Sequence, residues 1–104
     1  MTVQFVYMTA GDRAEAERIG RHLVEKRLAA CVNIFNGITS IFRWQDAIQT
    51  DREVVMIAKS VAERIPELTA VVKAMHSYET PCVVALPAAG GFDPFLEWVQ
   101  TEIA

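Results

Sequence analysis

The sequence predicts an α+β domain: a ferredoxin-like split βαβ sandwich of order βαββαβ plus a short C-terminal helix, its antiparallel sheet carrying a long hairpin of the second and third strands. Three observations predict it. Capped amphipathic segments alternate with β-branched runs, and the two central runs follow one another with only a polar stretch between them. The third is the length of the run from Ala30 to Trp44, whose fifteen residues reach roughly 50 Å at about 3.3 Å per residue. A globule of this size is only about 33 Å across, given a radius of gyration of about 13 Å. The run therefore either turns back at Asn36-Gly37 or projects beyond its own domain.

The elements follow in order. Val3, Phe5, Val6 and Tyr7 lie in a first strand over Thr2–Thr9 that breaks at Ala10-Gly11. Asp12 caps a helix reaching about Lys26, with Glu15 completing a capping box. Ala16, Ile19, Leu23 and Leu28 form its apolar stripe, and Arg13, Glu17, Arg18, Arg21 and Glu25 its wet side. Asn36-Gly37 between apolar runs is a strong hairpin signal. An extra hairpin there breaks the βαββαβ count, so the pair reads as a bulge and the strand continues to Trp44. Gln45–Asp51 is the polar turn, with Asp46-Ala47 its tip, and Glu53–Lys59 is the third strand. Ser60 and Glu63 pair as a second capping box for a helix ending near Met75, its inner face Ile65, Leu68, Val72 and Met75. Pro66 either distorts the first turn of that helix or starts its regular part. His76–Pro81 is a polar loop, and Cys82–Leu86 reads as a strand buried on both faces. Asp93 as N-cap with Pro94 at N1 opens the last helix, with Leu96, Val99 and Ile103 inward.

Residues 1–104 form one domain. The 52% apolar and 22% charged composition is that of a soluble globular chain. A net charge of −3 argues against nucleic acid as partner. No run approaches the roughly 18 to 20 apolar residues of a membrane span, and the N-terminal residues lack the pattern of a targeting segment. Cys31 and Cys82 are too few for a disulfide framework, which fits a reducing, cytoplasmic setting. An antiparallel sheet with helices on one face leaves Ile, Phe and Val side chains on the other, and a second copy of the chain is the economical cover.

Catalytic signatures are absent: no GxSxG, HExxH, P-loop or dinucleotide fingerprint. A Cys–His pair assembled from Cys31 or Cys82 with His76 is disfavoured, since a thiol in an apolar strand is inert. The loop His76-Ser77-Tyr78-Glu79 offers an imidazole, a phenol and a carboxylate beside Cys82, a set able to bind a metal or polarise a small ligand. His22 and His76 are the only histidines, so one subunit supplies few nitrogen ligands. The fold brings Met8, at the end of the first strand, towards Met75, at the end of the second helix.

Five segments in register resemble the CutA family of divalent-cation tolerance proteins: Leu28–Ile34, Gly37–Trp44, Glu53–Lys59, His76–Pro81 and Phe95–Trp98. The likeness covers nearly the whole chain. It implies a non-enzymatic homotrimer assembled through long hairpin strands and linked to copper tolerance. Copper, as Cu(I) or Cu(II), or another divalent cation is the implied ligand, none of them obligatory. The family's proposed copper ligands fall at Met8, Met75 and His76, of which only His76 keeps the family's residue type. The family loop has proline at Ser77 and glutamate at Cys82, so this chain shifts towards softer ligands. The likeness extends to trimeric PII-type signalling proteins, which implies the rival role: a sensor taking a small molecule or a protein in clefts between subunits, lined by Trp44, Lys59, Tyr78 and Glu79.

Overall fold

The first strand forms where apolar side chains alternate: β1 runs Val3–Ala10 in the computed structural model, which describes residues 2–104. α1 (Arg13–Glu25) opens at Asp12, whose carboxylate accepts the Glu15 amide at 2.8 Å. The expected return bond is displaced by one residue, because Glu15 Oε1 accepts from Gly11 N at 3.1 Å. Ala16, Ile19, Leu23 and Leu28 are buried as their spacing predicts.

β2 (Cys31–Trp44) and β3 (Ala47–Val61) form one continuous hairpin. The register shifts between Phe35 and Ile38, and Gly37 has φ +76°. Asn36-Gly37 is thus a bulge, as expected. Along β2 three steps separate Phe35 from Ile38, against two from Val55 to Glu53 on β3. The extra residue resets the alternation, so Ile38, Ser40, Phe42 and Trp44 share a face with Phe35. The polar turn is shorter than expected. Gln45 and Asp46, both at positive φ (49° and 63°), make the whole reversal, and Ala47–Asp51 is strand.

Ser60 does not cap a helix. It stays in β3, fully buried, where its hydroxyl donates to the Leu28 carbonyl at 2.6 Å. A 3-10 turn over Ala62–Arg64 follows, and α2 (Ile65–Met75) holds Pro66 in its first turn. The segment opens as a 3-10 turn, and the regular helix starts at Ile65, one residue before the proline rather than at it, where the missing N–H leaves no bond unmade. β4 is Val83–Pro87 and α3 is Asp93–Ile103. The cap of α3 moves back to Phe92, whose carbonyl accepts from Phe95 N and Leu96 N.

The sheet order is β2-β3-β1-β4, all neighbours antiparallel. One face carries α1 and α2, which bury Val6, Met8, Met56 and Ala58 against Ile19, Leu23, Leu68 and Val72. On the other face α3 covers only one end, where Val99 and Ile103 meet Val3, Ala30 and Val61. Beyond α3 that face is open: Phe5, Tyr7, Val84 and Leu86 are between a third and a little over half exposed. β4 is therefore only half-buried, through Val83 and Ala85 on its helix side, contrary to the doubly buried strand its apolar run suggests. From the Ile38–Glu53 pair to Trp44–Ala47 the hairpin has only two strands and forms an arm. The arm accounts for the 44 Å long axis, against 25 and 22 Å across. Among the described residues no helix is long and apolar enough to cross a membrane.

Candidate ligand cleft and the His76 loop

The loop after α2 is fixed by hydrogen bonds to distant elements. His76 ends the helix in extended backbone, its amide reaching Val72 O at 2.9 Å. Its Nε2–H donates to the Thr9 carbonyl at 2.7 Å, and its Nδ1 accepts the Tyr78 amide at 3.0 Å. These partners assign the tautomer, since a carbonyl only accepts and an amide N–H only donates. The ring is 1% exposed. Glu15, almost buried, holds the next residue: Oε2 accepts Ser77 N at 2.7 Å and Oε1 accepts Ser77 Oγ at 3.1 Å. Burial pushes the Glu15 carboxyl up, but the bonds from Ser77 and Gly11, together with His76 nearby, outweigh it and leave the group below its ordinary range. Lys73 Nζ ties off the loop by donating to the Glu79 carbonyl at 2.6 Å.

Tyr78 crosses from this loop to the arm, its hydroxyl donating to Glu53 Oε2 at 2.7 Å. Burial and that bond push the phenol far above its ordinary range, so it stays protonated. Between loop and arm lies a cleft of about 680 Å³ on the open sheet face. β1 contributes Tyr7 and Thr9, the arm contributes Phe42, Trp44, Asp51 and Glu53, and the loop contributes Tyr78, Glu79 and Cys82. Burial and the charge of Glu53 push the Cys82 thiol up, the opposite of what a nucleophilic cysteine needs.

Of the residues expected to line a cleft, the structure brings Trp44, Tyr78 and Glu79 together. Lys59 is elsewhere. It shares the open face but stands six residues from Glu53, about 20 Å along β3, with its ammonium 5.5 Å over the Phe5 ring. Tyr7, Thr9, Phe42, Asp51 and Glu53 were not singled out by sequence. Their period of two was the available signal, but only the register shows that those faces meet. The Glu15–Ser77 bonds left no sequence signal at all.

Met8, Met75 and His76 were the expected metal ligands. Met8 is fully buried, Met75 packs against the same core, and His76 reaches Thr9, next to Met8. Both nitrogens of His76 are committed, however, and among the described residues no three His, Cys, Asp or Glu side chains are grouped to hold an ion. An ion at this set must therefore first displace one of the two bonds that the imidazole makes.

Residues 4–102 match the family model described as CutA1 divalent ion tolerance protein. The chain belongs to the CutA1 family. A divalent-cation tolerance protein CutA of Archaeoglobus fulgidus is 48% identical over 95% of this chain and 96% of its own. The solved A. fulgidus structure, described as periplasmic, superposes with a TM-score of 0.95 at 46% identity, covering 98% of this chain and 99% of that one. The Thermus thermophilus structure gives 0.94 at 41%, covering 96% and 97%. The α+β fold is thus that of solved CutA proteins, and the CutA1 family is named for tolerance of divalent cations, not for a reaction.

Proposed function

We propose that this chain is a non-enzymatic homotrimer, assembled through the β2–β3 arms, that serves divalent-cation tolerance by binding a ligand in the cleft beneath the arm. The observation that carries this reading is the open sheet face together with its arm. An isolated two-stranded ribbon is marginal in water, and Phe5, Tyr7, Phe42, Trp44, Ile48 and Leu86 leave more apolar surface uncovered than a lone subunit tolerates. Copies of the chain supply the cover and wall the open side of the cleft, which is the geometry of a sensor. Two unbridged cysteines favour a reducing compartment, the cytoplasm, and the acidic net charge disfavours nucleic acid. Native mass spectrometry with divalent metal added and withheld tests the reading; a folded monomer at micromolar concentration sinks it.

Copper binding near His76 is the second reading, supported by Met8 and Met75 sharing one core and by the bond from His76 to the carbonyl of Thr9, next to Met8. A soft set of two thioethers and an imidazole suits Cu(I). The ion must displace the Tyr78 amide from Nδ1, so binding is weak. Titration with Cu(I), Cu(II) and Zn(II) tests it: His76→Ala abolishes the site, and unchanged stoichiometry and affinity in that variant refute it.

A further inference from the structure

The geometry points to an organic cation with an apolar body, an amine or a quaternary ammonium, as the ligand of the cleft between the arm and the 78–82 loop. The inference rests on the reading of that cleft as a ligand site and names the chemistry it selects. The volume of about 680 Å³ falls in the range of small-molecule sites, about 300–1,000 Å³. Every formal charge that one subunit brings to the lining is negative: Asp51, Glu53 and Glu79 contribute carboxylates, and among its described residues no Lys, Arg or His lines the cleft. Trp44, Phe42 and Tyr78 add aromatic rings to the lining, and the quadrupole of such a ring attracts a cation held over its face within about 6 Å.

The competing ligand classes fit less well. An anion meets three like charges. A neutral apolar ligand desolvates carboxylates without offering them a counter-charge. A compact divalent ion requires several ligands converging at about 2.0–2.6 Å. Such convergence is missing among the described residues, and one Glu53 oxygen is already held by Tyr78. An alkylammonium carries its charge over a larger radius, needs no fixed coordination number, and is attracted by dispersed carboxylates and ring faces together.

The two tryptophans of the chain are Trp44 and Trp98, so Trp98→Phe on α3 leaves Trp44 as the only indole reporter. The test titrates this variant, as full-length protein at constant ionic strength, with benzyltrimethylammonium, choline, and 3,3-dimethylbutan-1-ol, the neutral carbon counterpart of choline. The expected result is a saturable change in Trp44 emission with both cations and at least about tenfold weaker binding of the alcohol. Asp51→Asn, at an exposed position, weakens cation binding severalfold with the thermal midpoint unchanged, and Glu53→Gln weakens binding more strongly while also lowering the midpoint through its bond with Tyr78. Equal binding of choline and the alcohol overturns the cation assignment, as does unchanged binding in Asp51→Asn. Absence of any saturable response also overturns it, including the case in which a basic side chain of a second copy fills the cleft. Native mass spectrometry on the same samples separates the two claims. A trimer that ignores the cations refutes this inference and leaves the assembly intact, whereas a monomer that binds them refutes the assembly alone.

Discussion

Ser77 lies 62 residues from Glu15 in sequence, yet its amide donates to Glu15 Oε2 at 2.7 Å and its hydroxyl to Oε1 at 3.1 Å. One carboxylate of α1 thus pins the loop that follows α2. A bond to a charged acceptor contributes about 1.5–3 kcal/mol, so Glu15→Ala, which strands several donors, lowers unfolding stability by about 3 kcal/mol. Ser77→Ala removes only the hydroxyl bond and costs about 1 kcal/mol. The double mutant in urea denaturation loses less than the sum, because the second change has nothing left to break.

The same carboxylate makes stability sensitive to acid. Its pKa in the folded chain lies below the ordinary 4.5, so as pH falls the unfolded chain takes up the proton first. The contribution of Glu15 is complete above about 4.5 and is lost as pH falls through the folded value. Denaturation midpoints between pH 6 and 3 drop less steeply in Glu15→Gln than in the unaltered chain. Parallel curves contradict the assignment.

Tyr78→Phe keeps the ring and deletes the bond to Glu53 that links loop and arm. A loss of about 1.5 kcal/mol is expected, with increased hydrogen exchange at the amides of residues 78–82. Exchange unchanged there means the link holds nothing in place.

The reversal of the arm uses Gln45 and Asp46 at positive φ, a backbone region that costs an ordinary L-residue roughly 1–2 kcal/mol. Substituting Asn-Gly, the pair this turn prefers, raises stability by about 1 kcal/mol in thermal unfolding without altering the register.

How far the sequence shows the molecule depends on how local each signal is. Asp12 and the stripe of Ala16, Ile19 and Leu23 act within one turn or one face, and α1 lies where these residues place it, while α3 starts one residue before the position Pro94 marks. Asn36-Gly37 is a bulge because the count of elements outweighs its local hairpin preference. Ser60 and Glu63 mislead because a hydroxyl that suits a cap also suits the Leu28 carbonyl, and strand pairing with Gln4 of β1 keeps Ser60 in β3. Gln49 and Asp51 read as a turn because polarity in an arm resembles polarity in a loop when no core marks one face. Within the cleft, Trp44, Tyr78 and Glu79 stand out by chemistry alone. Asp51 and Glu53 gain significance only through the register that sets them across from Ser40 and Ile38. Lys59 lies outside the cleft of a single subunit for a simple reason: sharing a face is not sharing a position along the strand.

The arm also orders events in time. Residues 38–53 bury little in their own subunit, so the α/β body can close before the arm has any partner. During that interval β2 presents a 14-residue open edge, a template for any extended strand nearby. If the proposed trimer forms, correct pairing and misassembly then compete for the same surface. On that reading, polypeptide released slowly into a pool of finished subunits finds the neighbours proposed for it, while a burst of synthesis raises the odds of strand-to-strand polymer. The arm that gives the cleft its wall makes the newborn chain the most vulnerable form of this protein.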